Sequence, residues 1–194
     1  MRVAQISLFA CLLFGSVAYA APISYFAVLS GASEVPPTGS PGTGFTTVTI
    51  DTVAQTLLVN VTFSGLGTPD TMAHIHCCTT LPFTGNAGVA TTTPTFPAFP
   101  LGVTAGTYTH LFDLTDLGSY NPAFVTAEGS VANAEAALAA GMALGETYLN
   151  IHSVQFPGGE IRGFLAPAVP EPSTLLLASA ALVSLTLLRR RRRT

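Results

Sequence analysis

Leu57-Leu58-Val59-Asn60-Val61-Thr62-Phe63 sets Leu57, Val59, Val61 and Phe63 against Leu58, Asn60 and Thr62. That period of two belongs to a half-buried strand, because successive side chains point to opposite faces. Working outward, Ser24 to Gly31, Gly44 to Asp51, Thr56 to Ser64, Met72 to Cys77, Tyr108 to Leu114, Thr147 to Val154 and Glu160 to Leu165 are short segments of similar composition. They are rich in Val, Ile, Thr, Phe and Tyr and are separated by Gly, Pro, Asn or Asp. Seven such strands predict an all-β sandwich. Asp51 to Gln55 is short enough to close a hairpin between two of them. Gly88 to Thr107 carries Pro94, Pro97 and Pro100 and reads as a long surface excursion, since proline removes ladder donors. One stretch breaks the pattern. Ser130 can cap an Ala-rich helix running to Leu144, with Val131, Ala134, Leu138 and Met142 on one face and Gly145 as its stop.

The two ends are chemically unlike this body. Arg2, the apolar stretch Val3 to Val17 and the small-x-small Ala18-Tyr19-Ala20 read as a signal peptide over residues 1–20, which a signal peptidase removes. At the other end Val169-Pro170-Glu171-Pro172-Ser173 leads into the apolar run Thr174 to Leu188 and then Arg189, Arg190, Arg191, Arg192 and Arg193. A proline-rich turn, an apolar helix and a cationic stop hold a chain in the inner membrane with its end in the cytoplasm. Leu175 to Leu188 makes only about four helical turns, so the arginines snorkel toward the headgroups.

Between these ends lie residues 21–166, one domain long enough to bury about two thirds of its unfolded surface without a required metal or disulfide. The hydrophobic fraction of 48% is inflated by the termini. Within the body, Glu34, Asp51, Asp70, Asp113, Asp116, Glu128, Glu135, Glu146 and Glu160 face a single basic residue, Arg162. The net charge of −3 for the whole chain conceals this acidity. Nucleic acid is excluded as a partner, because phosphate neutralisation would rest on one arginine. Cys77 and Cys78 are the body's only cysteines. No disulfide can tie distant segments, and a bond between these neighbours is expected to be strained and easily reduced.

The tail resembles the PEP-CTERM sorting signal of Gram-negative bacteria, with Pro170, Glu171 and Pro172 as the motif residues. The resemblance implies recognition by an exosortase, a membrane-embedded processing enzyme, and delivery to the cell surface or beyond. It also implies a link to exopolysaccharide and biofilm, with extracellular polysaccharide or a surface protein as partner.

His74-Ile75-His76, Asn150-Ile151-His152 and Glu160-Ile161-Arg162 share one layout. On a strand each turns its isoleucine one way and two polar groups the other. With the isoleucines in the core, six polar side chains share the outer face; whether they meet depends on strand order. His74 and His76 with a third imidazole from a neighbouring strand, His152, form a candidate site for Zn or Cu. Cys78 has the right parity to add a thiolate if the strand continues. The plain alternative is a polar network in which Asn150, Glu160 and backbone carbonyls hold the rings, and in which Glu160 or Glu34 pairs with Arg162. His110, between Tyr108 and Phe112, reads as packed.

Ala27-Val28-Leu29-Ser30-Gly31 with Glu34-Val35-Pro36-Pro37 resembles the opening of the CHRD domain, named from chordin. Phe63-Ser64-Gly65-Leu66, Ala73-His74-Ile75-His76, Asn150-Ile151-His152 and Pro157-Gly158-Gly159-Glu160-Ile161-Arg162-Gly163 resemble its later motifs in order. The resemblance implies a Greek-key-like β-sandwich, immunoglobulin-like or superoxide-dismutase-like, in a secreted protein of a family with no agreed catalytic activity. Where many members follow His-Ile-His with glycine, this chain has Cys77-Cys78. The leading expectation is an exported, non-catalytic binding module, and the rival is a mononuclear Cu- or Zn-binding protein or a superoxide-dismutase-like metalloenzyme that uses the strand histidines. A dinuclear dismutase site needs six histidines, and the chain has four.

Overall fold

The computed structural model describes residues 21–168. The signal peptide over 1–20, the motif Pro170, Glu171 and Pro172, the apolar run and Arg189 to Arg193 lie outside the described residues. Among the described residues no helix is long and apolar enough to cross a membrane.

Eight strands form one antiparallel sheet: β1 (Ile23–Ser30), β2 (Thr43–Asp51), β3 (Thr56–Ser64), β4 (Asp70–His76), β5 (Gly106–Asp113), β6 (Tyr148–Ser153), β7 (Ile161–Phe164) and β8 (Ala166–Pro167). The order across the sheet is β4-β6-β7-β1-β2-β3-β5, with β8 also on β1. The hairpin at Asp51 to Gln55 forms, with Asp51 opposite Thr56. Asp51 Oδ1 accepts the amides of Val53 and Ala54 and so fixes the turn. The sheet curls until its two halves share one core. Leu29, Val48, Val59 and Phe112 from one half belong to the same buried cluster as Ala73, Ile75, Leu149, Ile151 and Ile161 from the other. The expected sandwich is thus made by one continuous sheet folded over on itself.

Two helices lie on the crossover from β5 to β6: α1 (Pro122–Glu128) and α2 (Val131–Leu144). α2 starts at Ser130, whose hydroxyl accepts the Asn133 amide at 3.1 Å, and stops at Gly145 with φ +72°. It buries Ala134, Leu138 and Met142. The expectation of a single helix is corrected by α1, which Asn121 caps by accepting the Ala123 amide at 3.0 Å while Pro122 opens the first turn. Seven residues with one buried side chain, Phe124, carry too little periodicity to stand out.

The proline-rich excursion is not a surface loop. It runs along the edge of β4, where the amides of Ala90 and Phe96 donate to the carbonyls of Ile75 and Ala73. Ala90, Thr91 and Phe96 are buried. The excursion satisfies an edge strand that would otherwise expose its polar groups, and its prolines sit where no ladder donor is required.

Candidate metal centre

β4, β6 and β7 are neighbours, so the three polar fragments meet. His74 lies opposite Asn150, and Asn150 lies opposite Arg162. His152 sits one step along, opposite Met72. The isoleucines enter the core as expected, fully buried. The opposite face, expected to be outermost, is covered instead by the excursion and by the turn after β6. Relative exposure is 2% for His74, 7% for His76 and 6% for His152.

The three imidazoles converge. Ring centroids are 5.9 Å apart for His74 and His76, 5.4 Å for His74 and His152, and 5.9 Å for His76 and His152. One nitrogen from each lies within 4.8 Å of the others, and among the described residues this is the one group of three or more potential ligands. Each ring spends its other nitrogen on a backbone carbonyl. His74 Nε2 donates to Pro94 at 2.6 Å, His76 Nδ1 to Ala87 at 3.0 Å and His152 Nδ1 to Pro157 at 3.0 Å. A carbonyl can only accept, so each bond fixes the tautomer and leaves a lone pair on His74 Nδ1, His76 Nε2 and His152 Nε2. Those three nitrogens are buried and have no protein partner.

Burial keeps the rings neutral. Desolvation holds His74 and His76 down at about 4, outweighing the bonds to Pro94 and Ala87, which pull the other way. The charges of His152 and, for His76, of His74 and Arg162 lower them further. Burial likewise lowers His152. Three neutral imidazoles, each oriented by an acceptor behind it, are the form in which histidine binds a transition metal.

The family model of the CHRD domain matches residues 25–165. This chain belongs to the CHRD-domain family. A second match, the PEP-CTERM protein-sorting motif, covers residues 168–193. The CHRD protein is therefore exported to the cell envelope or surface and processed by an exosortase. Searches of the curated proteins and of the solved structures each found no match.

Within the CHRD domain the remaining polar residues separate into distinct duties. Arg162, only 1% exposed, donates through Nε to Ser33 O and through Nη1 to Asn86 Oδ1, both at 2.6 Å. Its guanidinium lies 4.5 Å over the Tyr148 ring, which stacks on His76 at 4.7 Å. The carboxylate beside it is Glu34, at 3.7 Å. Desolvation raises Glu34 to about 7 against the attraction of Arg162. Glu160 does not pair with Arg162. Its Oε1 accepts from Ser40 Oγ and the Gly67 amide, both at 2.6 Å, and ties two loops to the end of β7. Asn150 Oδ1 is buried without a partner.

Cys78 is not a ligand. β4 ends at His76, and Cys78 is exposed and joined to Cys77 in a disulfide against α2, where both sulfurs approach the Ala137 carbonyl. The parity argument fails because the strand stops two residues short. The residues that sequence reasoning missed are Ala87, Pro94 and Pro157, which act through their carbonyls. Pro157-Gly158-Gly159 carried the only visible signal, a turn. Gly159 has φ +129°, and an added Cβ would meet Asn150 and, at 2.8 Å, Glu34 Oε1.

Proposed function

We propose that this CHRD protein is a non-catalytic surface module that holds one copper or zinc ion at His74, His76 and His152. The observation that carries the reading is the set of three buried lone pairs, each presented by a ring whose opposite nitrogen is bonded to a backbone carbonyl. Leaving three such acceptors unpaired would cost about 1–3 kcal/mol each. A bound metal removes that cost and fastens to the sheet the excursion, through Pro94, and the residue just before the excursion, Ala87. Closure around the rings favours holding an ion over turning over a substrate.

Before processing, the signal peptide is removed and the apolar tail keeps the chain in the inner membrane. After processing, the acidic body stands in the envelope or matrix, and a role beside exopolysaccharide in biofilm fits that placement. Metal analysis of the full chain purified in detergent tests the reading. Near-stoichiometric metal in the wild type, lost in His76→Ala and His152→Ala but kept in His110→Ala, is the expected result. A folded wild type that takes up neither copper nor zinc overturns it.

A further inference from the structure

The donor set also bears on which ion enters, an inference that rests on the metal reading above. All three ligands are neutral, and no carboxylate or thiolate belongs to the group. Glu34 lies beside Arg162, and Glu160 accepts from Ser40 and Gly67; each keeps one buried oxygen without a partner, yet neither belongs to the group. The sulfurs of Cys77 and Cys78 are bonded to each other, so no thiolate is offered. Asn150 Oδ1, unpartnered on the strand face next to His74, is neutral too. A metal ion therefore meets a donor set with no negative charge, in a place nearly closed to water.

The cost of burying an ion rises as the square of its charge. Three carbonyl dipoles behind the rings supply a modest negative potential through the imidazoles. That suits one positive charge better than two, and the positive charge of Arg162 already acts on His76. Zinc seeks a fourth ligand, and an anion would serve it best. Cupric ion seeks a tetragonal set. A closed d¹⁰ ion with a single charge is satisfied by three imidazole nitrogens in a plane.

We propose that the three-histidine site is selective for monovalent copper, held in trigonal three-nitrogen coordination. It retains Cu(I) against divalent competitors.

The test is an anaerobic titration of the metal-free full chain in detergent with Cu(I) against a chromophoric Cu(I) chelator. Zn(II) and Cu(II) are titrated in parallel, and X-ray absorption is recorded on the copper-loaded wild type. The expected result is one Cu(I) per chain with a three-nitrogen shell, bound about 100-fold more tightly than Zn(II), and weakened about as much in His74→Gln. The absorption spectrum uses no variant, so a folding defect in His74→Gln cannot obscure it. Tighter binding of Zn(II) or Cu(II), or a four-ligand shell on copper, overturns the selectivity while leaving the metal site in place. Failure of all three ions to bind overturns the selectivity and the metal reading together.

Discussion

Replacing Arg162 by Met probes the buried polar layer more sharply than any other single change. Met keeps a flexible apolar stem between Tyr148 and Phe164, whose rings lie 4.5 Å and 5.6 Å from the guanidinium carbon. What it removes are the two short bonds to Ser33 and Asn86 and the cation beside Glu34. Bonds from a charged donor contribute about 1.5–3 kcal/mol each, and breaking a buried pair from one side costs about 3–5 kcal/mol. These overlap, because Glu34, already raised to about 7, escapes an unpaired charge by taking a proton. The expected loss is about 4 kcal/mol near neutral pH. The loss also depends on pH in a definite direction. Near pH 5 Glu34 is neutral in the folded chain, so only the hydrogen bonds are lost; above pH 7 the ion pair is lost as well. Urea denaturation of wild type and Arg162→Met at pH 5 and pH 8 reads both quantities. A loss below about 1 kcal/mol, or one that shrinks toward pH 8, refutes the reasoning.

Three further outcomes are expected. The metal-free chain loses stability as pH falls from 6.5 toward 4, because the unfolded histidines take up protons that folded His74 and His76, held at about 4, refuse. Denaturation midpoints at pH 4.5, 5.5 and 6.5 check the direction, and Glu34 opposes it in part, since its raised value gives stability below 4.5 that is lost on the way to 7. Gly159→Ala lowers stability by about 1–3 kcal/mol, because the new Cβ meets Asn150 and Glu34 in a backbone conformation that disfavours side chains; thermal melting reads the loss, and metal uptake falls as the turn carrying Pro157 shifts. Ser130→Ala costs about 1 kcal/mol through the lost α2 cap, with metal affinity unchanged.

Strands announced themselves because one face of each meets the core, and a period of two survives in residues such as Leu57 to Phe63. Their observed ends fall within two residues of the expected ones at each of the seven expected strands, while the two-residue β8 was too short to foresee. Strand order carries no local signature, so the meeting of His74, His76 and His152 could be read only as a condition. The cover over the site was hidden for another reason. Ala87, Pro94 and Pro157 act through main-chain oxygens that every residue possesses, and Phe96 is buried in a segment with no period at all. Cys78 misled because parity holds only while a strand lasts, and β4 ends at His76.

The tautomers of the histidines test the central claim most directly. Nitrogen-15 spectra of the metal-free full chain, with His110 as internal reference, should show His74 protonated at Nε2 and His76 and His152 protonated at Nδ1. His74 and His76 should be neutral at pH 6, and only the lone-pair nitrogens of the three rings should respond directly to added metal. A charged His74 or His76 at pH 6, rings that exchange between tautomers, or protons on the inward nitrogens would contradict the account.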